Sequence, residues 1–216
     1  MKKTIIFGWL EIVFGLAIFA AGVHFTIIAG IGLAPWDCLG MGIAKHTPLN
    51  YGMAMTSVSV IILALDLFMK EKIGFGTIID ALLTGNFTNF FIEHSPFKAN
   101  HLWVSILFIL IGLSLMALGQ FFYMRAGQGC GPRDSFLIGV GKRLSKLPIG
   151  LVEVLIFAIV LIAGCLLGGE VGLGTILTTG CCGIAMQLVF NLLHFEPRDI
   201  KHQDVLETTR KFMNGD

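Results

Sequence analysis

GIGLAPWDCLGMGIAK at residues 30–45 and GQGCGPRDSFLIGVGK at residues 127–142 are the two stretches that decide the fold. Aligned at an offset of 97 residues, six of their sixteen positions are identical. Both begin with Gly-x-Gly, continue to Pro-x-Asp and end in lysine. A match of this kind between distant segments indicates an internal repeat.

The repeat continues on both sides of these segments. Upstream, Gly15 and Gly22 pair with Gly112 and Gly119 at the same offset. Downstream the offset becomes 98, so that the glycine-rich turns IGFGTI and VGLGTI and then Gly85 and Gly183 are aligned. We therefore expect two related halves and a polar tail, at residues 1–95, 101–195 and 196–216.

The composition of the chain indicates whether water or lipid surrounds the folded protein. It is 55% hydrophobic and 13% charged, against about 25% charged residues in an ordinary soluble domain. Its mean hydropathy is +0.83. These values exclude a soluble enzyme, and a net charge of +1 leaves no basic excess for nucleic acid. The sequence therefore predicts an all-α polytopic membrane protein whose partner is the lipid bilayer.

Six stretches approach the length of about 20 residues that a membrane-spanning helix needs. They are residues 5–29, 51–69, 73–92, 102–124, 148–168 and 171–193. With the N-terminus inside, thirteen of the fifteen Lys and Arg residues fall on the inner side. Because cytoplasmic loops carry the excess of cations, we expect both termini in the cytoplasm of a bacterial cell, with the first span retained as an uncleaved helix.

Three spans in each half place the halves in the membrane in opposite directions. Since three is odd, the second half enters from the other side, and a pseudo-two-fold axis in the membrane plane relates the two. The predicted fold is therefore six transmembrane helices as two inverted three-span repeats.

Each repeated segment also contains residues that begin a short helix. Glycine allows a tight bend, and proline suits a first helical turn because it has no N–H to leave unpaired there. This backbone motif comprises Gly30, Gly32 and Pro35 in one half and Gly127, Gly129 and Pro132 in the other. We expect short helices at about 36–46 and 133–144, either interfacial or re-entrant.

Two interpretations of the repeated aspartates stay open. The first turns that contain Asp37 and Asp134 could line a solute path, where backbone N–H groups hold an anion or the carboxylates bind a cation or a proton. Alternatively, proline and aspartate only begin and cap a helix.

Asp80 lies about two turns into the third predicted span. Its repeat counterpart is Thr178, so the carboxylate belongs to one half, which makes Asp80 the leading single candidate for ion or proton coupling; the alternative, an interhelical hydrogen bond to a hydroxyl or backbone group, stays open. Amides add polar atoms to the third and sixth spans. The candidate substrate or ion path is therefore Asp37, Asp134, Asp80, Asn86, Asn89 and Gln187.

Other ionisable side chains have simpler explanations. Glu11 and Glu153 are expected to reach the interface or pair with nearby cations, and Asp66 is expected to pair with Lys70 one turn later. His24 is expected at the membrane interface. The five cysteines have neither metal-ligand spacing nor a disulfide pattern. We expect no metal, no cofactor, no catalytic residue and no enzymatic activity.

The glycine-rich Pro-x-Asp motifs, the later Gly-x-Gly-Thr-Ile turns, the six spans and the length together resemble the YczE/YyaS/YitT family of bacterial integral membrane proteins. The resemblance is to the YczE-type branch, without the soluble C-terminal domain of YitT-type members. It implies location and fold, and it assigns neither a substrate nor site residues.

Two inverted three-span halves are a common way to build a secondary transporter around a midplane site. We therefore expect a transporter or channel-like permease for an unknown small solute or ion. The alternatives are a non-transporting membrane scaffold or regulatory protein and a substrate-capture subunit of a larger importer. Assembly as a homo-oligomer stays open.

Overall fold

The computed structural model describes residues 2–147, 149–195 and 205, with side chains from residue 7 onward except 149 and 150. The tail expected at 196–216 lies outside the described residues apart from Val205. Regular structure in the described part is helical throughout. The helices are α1 (Lys2–Ile28), α2 (Pro35–His46), α3 (Tyr51–Phe68), α4 (Phe75–His94), α5 (Leu102–Arg125), α6 (Pro132–Arg143), α7 (Ile149–Leu166) and α8 (Leu173–Leu192).

Several of these helices are suited to a bilayer. In the described residues, four are long and apolar enough to cross a membrane, and α7 contains a shorter apolar helix, Leu151–Leu166. The four are Phe7–Ile28, Tyr51–Phe68, Leu102–Arg125 and Leu173–Leu192. Large apolar side chains are exposed on the outer faces of the helices, where lipid rather than protein would cover them. In its described residues the chain is all-helical, with the apolar outer surface expected of a membrane protein.

The helix boundaries follow local signals in the sequence, chiefly proline and N-capping residues. One helix lies over each of the six predicted apolar stretches, and the short helices begin at Pro35 and Pro132. Proline holds the first position in both because its missing N–H would have no intrahelical partner there. α3 begins after Asn50, whose side-chain oxygen accepts a hydrogen bond from the Met53 N–H at 2.8 Å.

α1 and α5 pack so closely that their backbones touch at four glycines. A Cβ placed on Gly15 would lie 2.8 Å from the Gly119 carbonyl oxygen, and one on Gly22 would lie 2.6 Å from that of Gly112. The reciprocal distances, from Gly119 to Gly15 and from Gly112 to Gly22, are 2.5 and 2.7 Å. Because the lower-numbered glycine of α1 faces the higher-numbered one of α5, the two helices are antiparallel.

The connection between α1 and α2 docks on the beginning of α8. Gly32 has a φ of +119°, and a Cβ there would lie 2.5 Å from the Gly172 nitrogen. The Gly174 N–H donates a hydrogen bond of 2.7 Å to the Ile31 carbonyl. Only glycine combines this left-handed backbone with so close an approach.

The connection between α5 and α6 docks on the beginning of α4 in the same way. Gly129 has a φ of +111°, and a Cβ there would lie 2.9 Å from the Gly74 Cα. The Gly76 N–H donates a hydrogen bond of 2.8 Å to the Gln128 carbonyl. Each connection is therefore held by a helix start from the other part of the chain.

The glycine contact between α1 and α5 yields a stability prediction. Gly22→Ala would place a methyl group against backbone atoms of α5 that no rotamer change can move, so we expect a loss of about 1–3 kcal/mol in the free energy of unfolding. Thermal unfolding of the purified protein in one detergent measures the loss.

Gly183→Ala in α8 is the matched control. A Cβ on Gly183 meets no atom within 4 Å, and alanine is the better helix former, so stability should stay the same or rise by up to about 1 kcal/mol. Equal losses in the two variants would contradict the close packing of α1 on α5.

Candidate functional site

The first turn of α2 carries a buried carboxyl group. Asp37 is 3% exposed, and Tyr51 at the beginning of α3 donates a hydrogen bond from its hydroxyl to Asp37 Oδ1 at 2.9 Å. Tyr51 is itself buried, so the hydrogen bond lies inside the protein. A buried acid with a donor at this distance is stabilised where an isolated one would not be.

Two further carboxyl groups meet at the beginning of α6. A Cβ on Gly131 would lie 2.6 Å from Asp80 Oδ2 and 3.5 Å from Asp134 Oδ2. The Tyr123 hydroxyl donates to Asp134 Oδ2 at 3.4 Å, and the Thr84 hydroxyl donates to Asp80 Oδ1. The absence of a side chain at Gly131 therefore lets α4 bring Asp80 next to Asp134.

Arg133 is the cation that faces these acids. Its guanidinium carbon lies 5.3 Å from the centre of the Trp36 ring, within the range of a cation–π contact. Its charge acts on Asp37, Asp80 and Asp134. In the part of the chain that the structure describes, Arg133 makes no ion pair within 4.0 Å. Its hydrogen-bonding groups are thus not committed to a carboxylate.

We call Asp37, Asp80, Asp134, Arg133 and Trp36 the central cluster. Trp36 and Arg133 occupy the same position of the two repeated segments, 97 residues apart. Their contact brings the first turns of α2 and α6 to face each other. Three carboxyl groups against one guanidinium give the cluster a negative balance when all are ionised, so it favours a cation or a solute that carries an amine.

Ion pairs hold the far ends of the short helices. Lys142 at the end of α6 pairs with Glu71, which follows α3. Lys45 at the end of α2 pairs with Glu170 at 3.4 Å and donates to the Gly168 carbonyl at 2.7 Å. Each lysine therefore ties its short helix to a connection in the other half of the chain.

The three amides of the predicted path are not brought to the central cluster. Asn86 Nδ2 donates to the Leu82 carbonyl at 2.6 Å, on its own helix. Asn89 and Gln187 likewise donate to side chains four residues later, each at 2.8 Å. Asn86 and Gln187 are exposed. Their part in a solute path stays a prediction, whereas Asp37, Asp80 and Asp134 share the influence of Arg133.

One predicted ion pair is wrong and another is confirmed. Asp66 does not pair with Lys70: it is 0% exposed, and neither carboxylate oxygen has a hydrogen-bond partner. α3 ends at Phe68 and Lys70 has a φ of +60°, so the helical spacing on which the pairing depended does not reach Lys70. Glu11 does pair with a cation, since Arg125 Nε donates to its Oε1 at 2.6 Å.

His24 is buried rather than exposed at a surface. It is 5% exposed, its Nδ1 has no hydrogen-bond partner, and the rings of Phe25 and Phe91 lie 5.6 and 6.3 Å away. An aromatic pocket of this kind cannot be read from a single helix, because Phe91 comes from α4.

Arg133 is the site residue that sequence reasoning missed. The charge pattern of the sequence places it only among the thirteen cations assigned to the inner side of the membrane. A signal was available, because a cation in the first turn of a helix opposes the helix dipole and needs another reason to be there.

Reactive groups are sparse in the described residues. No three His, Cys, Asp or Glu side chains among them are placed to hold a metal ion. Cys130, in the connection before α6, is a free cysteine. Burial, followed by the charge of Asp134, raises the pKa of its thiol to about 11, so it is not a thiolate nucleophile at neutral pH.

Known proteins resemble this chain over most of its length. The model of a family of unknown function, DUF6198, matches residues 6–191. An uncharacterized protein of Haemophilus influenzae is 30% identical over 183 residues, 84% of this chain and 83% of the relative. No solved structure matches the chain.

Two proteins of Bacillus subtilis are similar at the same level. The uncharacterized membrane protein YczE is 29% identical over 193 residues, 87% of each chain. The uncharacterized protein YyaS is 30% identical over 180 residues, 82% of this chain and 88% of the relative. The resemblance to YczE and YyaS that the sequence motifs indicate is confirmed.

The position of Arg133 predicts that its removal lowers stability. Arg133→Gln would remove the cation whose charge acts on three carboxyl groups, so we expect a lower free energy of unfolding at neutral pH. Arg133→Lys keeps the charge but not the guanidinium that lies over the Trp36 ring, and should lose less. Thermal unfolding in detergent measures both.

Lys98→Gln makes the same change of net charge at an exposed position and should leave stability unchanged. If Arg133→Gln were as stable as Lys98→Gln, the guanidinium would not be balancing the three acids.

Proposed function

We propose that this chain, which belongs to DUF6198, a family of unknown function, moves a small solute across the bacterial plasma membrane. The observation that carries the proposal is the central cluster, where three carboxyl groups and one guanidinium from three helices converge inside a membrane protein. Ionisable groups buried at such a place are costly, and they mark substrate or ion pathways more often than structural features. A secondary transporter or a channel-like permease would use the cluster as its binding site.

For the architecture, we propose two inverted three-span halves with both termini in the cytoplasm. The glycine contacts between α1 and α5 support this arrangement. Adding 97 to Gly15 gives Gly112, and subtracting it from Gly119 gives Gly22, so one contact is converted into the other. A two-fold axis perpendicular to the antiparallel helices produces that exchange, and it lies in the membrane plane if α1 and α5 span the bilayer.

The docked connections support the same axis. Ile31 and Gln128 are equivalent at an offset of 97, and Gly174 and Gly76 are equivalent at an offset of 98. The two hydrogen bonds that join them are therefore counterparts. We propose that α2 and α6 approach from opposite faces and that the solute path runs between their first turns, where Trp36 meets Arg133.

The two halves differ in one respect that alternating access would use. In the first half α3 packs on α4, and a Cβ on Gly85 would lie 2.8 Å from the Gly52 carbonyl oxygen. Gly183, the counterpart of Gly85 on α8, faces open space, and in the described residues α7 makes little contact with α8. Equivalent helices are therefore packed differently in the two halves, as expected of a transporter whose halves exchange conformations.

The charges suggest the class of solute. Asp80 and Asp134 lie side by side at Gly131, and Arg133 is free of close ion pairs in the described part of the chain. A primary amine would be held by the carboxylates and a carboxylate by the guanidinium. We therefore propose a small cationic or zwitterionic solute.

Ligand-induced stabilisation tests the site without knowledge of the natural solute. Primary amines, amino acids and carboxylic acids, compared at constant ionic strength, should raise the unfolding temperature for the amine-bearing classes only. At a concentration of about 100 times Kd the expected stabilisation is about 2.7 kcal/mol. Asp80→Asn keeps the shape of the side chain and should lose this response, and it should also lose uptake of the stabilising compound into proteoliposomes.

Glu170→Gln is the matched control, because Glu170 is an exposed acid outside the central cluster. It should respond as the unaltered protein does. Stabilisation by no class, or an unchanged response of Asp80→Asn, would contradict the proposed site and leave a non-transporting scaffold as the better hypothesis.

The proposed topology has its own test. In a variant without native cysteines, Thr47→Cys, after α2, should react with a membrane-impermeant maleimide in intact cells. Lys146→Cys, after α6, should react only after the cells are opened. Reaction of both positions from one side would rule out the inverted arrangement.

A further inference from the structure

We propose that Asp66, which is buried without a hydrogen-bond partner in the last turn of α3, is a proton-binding site. This proposal rests on the proposed function, from which it takes the orientation of the chain in the membrane. It deepens that function by making the proton the coupled ion.

The surroundings of Asp66 suit a neutral acid and not a carboxylate. The side chain is 0% exposed, and both of its oxygens lack a hydrogen-bond partner. It is in the last turn of α3, at the negative end of the helix dipole. A carboxylate buried without a donor, beside a negative helix end, is strongly disfavoured, so the group holds a proton in this conformation.

Charged groups near the end of α3 do not compensate Asp66. The ionisable side chain whose charge acts on Asp66 is Glu71, which is also acidic. On α6, Lys142 is paired with Glu71, and Arg143 donates to the carbonyl groups of Gly139 and Met69 at 2.9 and 3.0 Å.

Other ionisable groups on the helices packed on α3 are not among those whose charge acts on Asp66. Asp80 on α4 accepts a hydrogen bond from Thr84, and Asp37 on α2 accepts one from Tyr51 at the opposite end of α3. The cations Lys45 on α2 and Arg133 on α6 contact Glu170 and the Trp36 ring. The charged neighbour of Asp66 in the described residues is therefore the acidic Glu71, and a proton is the cation that Asp66 can acquire without a change of structure.

A cavity of about 190 Å³ lies next to α6 and the residues that follow α3. Its lining includes Glu71, Lys72, Cys130, Ser135 and Lys142, and Asp66 is not part of it. The volume has room for a few water molecules at about 30 Å³ each. Glu71 lines the cavity and its charge acts on Asp66, so a movement of α6 is the step by which water in the cavity would reach the acid.

Comparison of the two halves indicates that the fold of the repeat does not need an acid at the position of Asp66. At an offset of 97 or 98 its counterpart is Ala163 or Gly164. A Cβ on Gly164 would lie 2.7 Å from the Leu39 nitrogen, so the second half uses this position for close packing of α2. Only the first half places an acid here.

Carbodiimide labelling tests the proposal on the purified full-length protein. Dicyclohexylcarbodiimide reacts with protonated carboxyl groups in apolar surroundings, and peptide mass spectrometry locates the adduct. We expect an adduct on Asp66 at neutral pH, more of it as the pH falls, and its loss in Asp66→Asn. Glu71, ion-paired with Lys142, should stay unlabelled.

Glu71→Gln provides the discriminating variant. It removes the negative charge that acts on Asp66, so the pH of half-maximal labelling should move down. Glu170→Gln, which alters the ion pair of the other short helix, should leave that pH unchanged.

Absence of an Asp66 adduct from mildly acidic to mildly alkaline pH would overturn the proposal. Protection of Asp66 by sodium but not by choline at constant pH would overturn it too, by assigning a metal cation. Labelling of Asp66 in a protein that no solute stabilises would retain the proton site and contradict transport, and stabilisation without labelling would do the reverse.

Discussion

The backbone contact between α1 and α5 is the constraint on which the rest of the structure depends. Between helices surrounded by lipid there is no hydrophobic driving force, so association relies on close packing and on hydrogen bonds. Glycine at four positions removes the side chains that would separate the helices, and carbonyl oxygens of each helix fill the space. Once the antiparallel crossing is fixed, the connections that follow α1 and α5 are brought to the helix starts on which they dock.

The docking of those connections explains why the Gly-x-Gly-Thr motif occurs in both halves. The Gly-x-Gly-Thr turns begin α4 and α8, where the Gly74 N–H donates to Thr77 Oγ1 at 3.3 Å and the Gly172 N–H to Thr175 Oγ1 at 3.2 Å. The N–H groups two residues later, those of Gly76 and Gly174, donate to carbonyl groups of the connection from the other half. Irregular backbone inside a membrane protein must find its partners within the protein, and here each half supplies them for the other.

Local features of the sequence predicted the elements well, and contacts between elements less well. Proline at Pro35 and Pro132 fixes the starts of the short helices, because its effect is on its own backbone. The pairing of Asp66 with Lys70 failed because it assumed a helix that ends at Phe68. The role of Arg133 was missed because its partners come from other helices, and no periodicity within α6 reveals them.

Divergence between the halves indicates where function was added to the repeated architecture. Glycines and prolines that shape the backbone occur in both copies, as architecture requires. The ionisable groups are divided: Asp37 and Lys45 recur as Asp134 and Lys142, whereas Arg133 has Trp36 as its counterpart and Asp80 has Thr178. Arg133 and Asp80 each bring a desolvation cost that the uncharged counterpart avoids, although both positions have equivalent backbones. A charge that packing does not need, kept in one copy only, supports the solute path that we propose between the halves.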